Sequence, residues 1–123
     1  MNRIILMIIL MLLVVKSFAD TTSPLMIQPK NGETLEDSKK HTMEYFGCIK
    51  GQAVKYAKTG ESVDSISKAS VVSCESYIQK IAESNIYYLN SSQDGKRKFI
   101  GRLKSDGESL ATKFAMDEKL KNK

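Results

Sequence analysis

The sequence predicts an all-α fold, a small three-helix domain built on an antiparallel helical hairpin that one disulfide cross-links. Three observations carry the prediction. Apolar residues recur at helical spacing over three long segments, and no segment shows convincing strand alternation. Cys48 and Cys74 lie equally far from a turn at Thr59-Gly60-Glu61, their midpoint being position 61. In an antiparallel pair, both sulfurs then stand at about the same height.

Residues 1–19 read as a secretory signal. Met1-Asn2-Arg3 is a short basic start, Ile4 to Val15 is an unbroken apolar run, and Ser17 and Ala19 are the small residues a signal peptidase inspects. The run is shorter than the roughly 20 residues that cross a bilayer, so no stable membrane span is expected after cleavage; a retained signal anchor is the alternative. Cleavage after Ala19 leaves 104 residues, enough for one domain with a modest core. Export to a periplasmic or secreted location takes the cysteines where disulfides form. They form no Cys-x-x-Cys motif, so a structural bond is expected, with a free reactive pair as the alternative.

Residues 20–33 hold both prolines, Pro24 and Pro29, and read as an extended N-terminal arm. Leu25-Met26-Ile27 either docks as a short plug or belongs to a flexible leader. Residues 34–123 form the helical domain. Its first helix runs from about Thr34 to Lys58, with Thr34 or Asp37 as the cap. Met43, Phe46, Ile49, Ala53, Tyr56 and Ala57 share one face, Cys48 sits at its margin, and Gly60 is the stop. The second helix starts at Ser62 and runs unbroken to about Asn85 or Leu89. Its stripe is Val63, Ile66, Ser70, Cys74, Tyr77, Ile78, Ile81 and Tyr88, and Ser67, Ser70 and Ser73 allow a close neighbour. A link of about three residues forces these helices antiparallel.

Asn90-Ser91-Ser92 begins a polar loop and matches a glycosylation sequon. The third helix follows from about Asp94 to Leu120. Phe99, Leu103, Leu110 and Phe114 are expected to close over the hairpin, and Gly107 on the same side permits a close crossing.

Catalytic machinery is not evident. His41, the only histidine, reads as a solvated surface residue beside Lys39 and Lys40. The paired acids Glu36-Asp37 and Asp117-Glu118 diverge on their helices instead of facing each other across a cleft. No phosphate loop, calcium loop or zinc ligand set occurs, so no catalytic residue, metal or cofactor is expected.

Charge is unevenly placed. The whole chain has 19 basic and 14 acidic residues, and without the signal's Arg3 and Lys16 the balance is 17 against 14, or +3. Residues 96–123 carry 9 basic and 4 acidic residues, a net of +5. Lys96, Arg97, Lys98, Arg102 and Lys104 interleave with an apolar stripe, the pattern of a basic amphipathic helix. Its three readings are a solvated core-packing helix, a surface for an acidic partner, and a membrane-inserting face. Tyr87 beside this stretch and Tyr45 are the tyrosines expected to be partly exposed, while Tyr77 and Tyr88 fall on the core stripe.

In size, signal and helix-disulfide layout, the chain is similar to small periplasmic immunity proteins that neutralise cell-wall-degrading toxins of type VI secretion. The likeness is one of layout and carries no residue across. It implies a protein partner, a toxin or an enzyme. The concentration of positive charge at Lys96, Arg97, Lys98, Arg102 and Lys104, with Tyr87 beside it, is where such a partner is expected to be met. Nucleic acid is not expected as a partner. The competing expectation is an envelope stress or maintenance factor that binds unfolded proteins or anionic polymers, with an enzyme third.

Overall fold

A computed structural model describes residues 25–123, and the expected signal at residues 1–19 lies outside them. The described residues form a short 3-10 turn at Lys30–Gly32 and five α-helices, with no strand. The helices are α1 (Leu35–Ala57), α2 (Val63–Ser73), α3 (Glu75–Glu83), α4 (Ile86–Leu89) and α5 (Gln93–Lys121). The fold is the all-α one expected. Helix α1 runs up, α2 and α3 together run down, and α5 runs up again, parallel to α1.

Local chemistry sets the helix ends. Thr34 and Asp37 form a reciprocal capping box, in which the Thr34 N–H donates to Asp37 Oδ2 at 2.7 Å. That backbone bond, followed by the one from the Thr34 hydroxyl, holds the Asp37 carboxyl below its usual value. Ser62 caps α2 and Ser92 caps α5. Gly60 has φ +82°, a left-handed conformation that ends the α1 segment at little cost.

Cys48 and Cys74 are joined, with Cα atoms 6.0 Å apart. The second leg is not one continuous helix, contrary to its periodicity. It bends at Cys74 (φ −106°, ψ 11°), whose N–H is shared between the carbonyls of Ser70 and Val71. Several features weaken the helix at this point. Ser70 donates back to Ile66 C=O at 2.8 Å, and β-branched Val71 and Val72 precede the bend. A second break falls at Ser84, which donates to the carbonyls of Lys80 and Ile81. Asn85 then starts α4 by accepting from the N–H groups of Tyr87 and Tyr88.

The core lies where α5 crosses the hairpin. Its fully buried members include Tyr45, Ile49, Ala53, Cys74, Ala111 and Ala115. Three of the expected placements are corrected here. Tyr45 is completely buried instead of partly exposed, and its hydroxyl donates to Leu103 C=O at 3.0 Å. Burial, then the charges of Asp106 and Glu108, push its phenol up to about 12, so it stays a neutral donor. On α5, small residues occupy the centre of the contact: Gly107, Ala111 and Ala115 are buried, whereas Phe99, Leu103, Leu110 and Phe114 are half-buried flanks. His41 is only 18 % exposed and is bonded to Glu33 and Glu44, so it is not a solvated residue.

Serines sit at the close approaches. Ser67 donates to Glu108 C=O on α5 at 2.9 Å, and Ser38 donates to Ile81 C=O on α3. Among the described residues, no buried side-chain nitrogen or oxygen lacks a hydrogen-bond partner.

The arm is held by its backbone and by the buried ring of Pro29, not by Leu25-Met26-Ile27 as a plug. Leu25, Met26 and Ile27 are exposed. The Asn90 side chain accepts from the Ile27 N–H at 2.8 Å and donates to the Ile27 C=O at 2.9 Å. It also donates to Ile86 C=O at 2.8 Å, which ties the arm to α4.

Candidate functional site

The bend at Cys74 decides where a surface site can form. Helix α2 stays close to α5 through Ser67, Val71 and Gly107, and after the bend α3 turns away. Tyr88 and Phe99, with ring centroids 5.2 Å apart, prop the diverging helices at that end. A groove opens between α3, α4 and α5.

Two adjoining hollows make up this groove. One, of about 390 Å³, is lined by Ile78, Ala82, Tyr88 and Ile100, with Glu75 and Glu83 on the α3 side. The other, of about 380 Å³, takes in Tyr88, Lys96, Arg97, Ile100, Gly101 and Lys104. Tyr88, Ile100 and Lys104 belong to both. The floor is therefore apolar, the α5 wall cationic and the α3 wall acidic.

The five cations marked in the sequence do not act as one cluster. Lys96, Arg97 and Lys104 line the groove, whereas Lys98 and Arg102 lie outside it, around the helix circumference. The Lys96 ammonium lies 5.6 Å from the centre of the Tyr88 ring, which keeps it over the floor. Lys104 spans the groove to Glu75 at 3.3 Å, and both are well exposed, so the pair adds only about 0–1 kcal/mol of stability. Lys98 is paired along its own helix with Asp94 at 3.0 Å. Arg97 and Arg102 make no ion pair among the described residues. Tyr87 is 66 % exposed on α4, next to Tyr88 in the groove floor.

Sequence reasoning missed three contributors. Tyr88 falls on the core stripe, but the break at Ser84 turns it into the groove floor. Glu75 heads α3 only because the second leg restarts after Cys74. Gly101 stands in the groove wall, and a Cβ there would meet nothing within 4 Å. Gly101→Ala is expected to raise stability by about 1 kcal/mol, measured by urea unfolding, because helix propensity improves with no clash. Its methyl group would project into the groove, so the same variant reports on occupancy.

Among the described residues, no three His, Cys, Asp or Glu side chains gather in a way that could hold a metal ion. No helix among them is long and apolar enough to cross a membrane. No known protein family, curated protein or solved structure matches the chain.

Proposed function

We propose that the protein is a small exported binding protein that captures a protein partner, most concretely by neutralising a toxin or a cell-wall-degrading enzyme. The groove between α3 and α5 carries the reading. It combines an apolar floor, an exposed tyrosine at its margin and three cations on one wall, the mixture that favours protein recognition. The Cys48–Cys74 bond fits an oxidising compartment. A partner offering an apolar side chain flanked by carboxylates would complement the α5 wall, and its approach would be steered by charge.

A second reading, an envelope maintenance factor that binds unfolded proteins or anionic polymers, draws on the exposed apolar residues Leu25, Met26, Ile27 and Met43. Charge reversal separates the two. The partner is first captured with the mature protein from the secreted fraction of its own cells. Lys96, Arg97 and Lys104 are then changed together to Glu, with Lys98 and Arg102 changed to Glu as the control. The groove variant is expected to associate with the captured protein about ten-fold more slowly at low salt, and the control to change much less. The difference should shrink in high salt, where screening removes the steering. Equal rates in both variants would count against the groove. Indiscriminate capture of denatured proteins by both would favour the second reading.

A further inference from the structure

His41 is the only histidine in the chain, and each of its ring nitrogens faces a carboxylate. Nδ1 lies 3.1 Å from Glu44 Oε2 on the same helix, and Nε2 lies 3.2 Å from Glu33 Oε1 in the arm. An ionised carboxylate only accepts hydrogen bonds. Both contacts are satisfied together only when both nitrogens carry protons, in the imidazolium form. The imidazole side chain is 18 % exposed, whereas those of Glu33 and Glu44 are 32 % and 39 % exposed and keep contact with water.

The charged surroundings come from two elements. Glu33 approaches from the arm and Glu44 from α1. Asp37, one turn earlier on α1, has its own carboxyl lowered in part by His41 and Lys40. Among the described residues, no ion pair reaches His41 from α2, α3, α4 or α5.

We propose that His41 is a proton-operated latch that fastens the root of the N-terminal arm to α1. In the neutral ring one nitrogen becomes an acceptor, and a carboxylate facing it is repelled. Glu44 is fixed three residues away on the same helix, so its contact persists. Glu33 follows the 3-10 turn in an extended conformation (φ −60°, ψ 146°), so its contact is the one released. The arm's other end is pinned through Ile27 to Asn90, close to Tyr87 at the margin of the groove. Opening the latch therefore loosens a segment beside the candidate binding surface.

The direction in pH follows from the partners. The bond to Glu44, opposed by burial and aided by Glu33, holds the imidazole above its ordinary value of 6.5. The latch is closed while the imidazole is protonated and both carboxylates are ionised, and it opens as pH rises through the raised value.

Because His41 is the sole histidine, its titration is followed by NMR on the intact folded chain without assignment ambiguity. The wild type is expected to titrate above 6.5, and Glu33→Gln and Glu44→Gln should each bring the value down. Backbone heteronuclear NOEs of Gln28, Lys30 and Glu33 should fall as the wild type crosses its transition, and stay flat with pH in His41→Gln. An ordinary titration in the wild type, or a value unmoved by Glu33→Gln, would overturn the latch. Arm amides equally ordered at about pH 5.5 and about pH 8.5 would also overturn it, leaving only an ion pair within α1.

Discussion

Replacing Gly107 by alanine is expected to destabilise the protein by about 3 kcal/mol, although alanine is the better helix former. The added Cβ would land on the Tyr45 hydroxyl, 3.0 Å from its Cζ and 3.2 Å from Val71 Cγ2. Tyr45 is fully buried and bonded to Leu103 C=O, so the ring cannot swing into solvent. Overpacking costs about 1–3 kcal/mol and disrupting the buried hydrogen bond about 1–3 kcal/mol, against about 1 kcal/mol gained in helix propensity. Urea unfolding measures the net effect. A double-mutant cycle tests the cause: in a Tyr45→Phe background, which removes the oxygen that is struck, the alanine should cost at least about 1 kcal/mol less. A purely additive pair would show that something other than this contact requires the glycine.

Removing the cross-link should have an effect of similar size for a different reason. Cys48 and Cys74 enclose a loop with a separation of 26 residues. Opening it frees the unfolded chain by about 3–4 kcal/mol in the chain-entropy model. Total stabilities of about 5–15 kcal/mol make that a large share for a domain of this size. The variant with both Cys48→Ala and Cys74→Ala should unfold at a clearly lower urea midpoint. Its dependence on urea should be steeper, because the unfolded state is more expanded. Cys74 is completely buried at the bend, so truncating it also leaves a void in the core cluster. An unchanged midpoint would mean that packing alone holds the two legs in place.

The features legible in the sequence were those written in local chemistry. Thr34 with Asp37, Ser62 and Gly60 mark ends that each residue type enforces within a turn of itself, and the cysteine spacing follows from the hairpin those ends define. The breaks at Cys74 and Ser84 were hidden because apolar spacing continues through both in nearly the same phase. The local traces are slight: Ser70 with Val71-Val72 before the first break, and Ser84-Asn85, a stop followed by a cap, at the second. Tyr45 was misplaced because α1 is packed from two sides, by the second leg and by α5, and a single apolar stripe describes only one. The centre of α5 was misread for a related reason. Large apolar side chains dominate a hydrophobic pattern, but helices this close must meet at Gly107, Ala111 and Ala115, which pushes Phe99 and Phe114 to the flanks. Of the five cations, three reach the groove. Sequence spacing set their angles around α5, and only the bend at Cys74 determined which angle would face an open groove.

The amide of Asn90 has a consequence for the order in which events can befall the chain. Both of its hydrogens are engaged, one by Ile27 C=O and one by Ile86 C=O, while its oxygen takes the Ile27 N–H. Attaching a sugar replaces one of those hydrogens. In the folded protein a transferase acting on Asn90-Ser91-Ser92 must first break one of these bonds to free the nitrogen. A chain that received a glycan before folding would mature with one of the clasp's two donated bonds missing. The clasp and a glycan at this position are rivals for the same nitrogen.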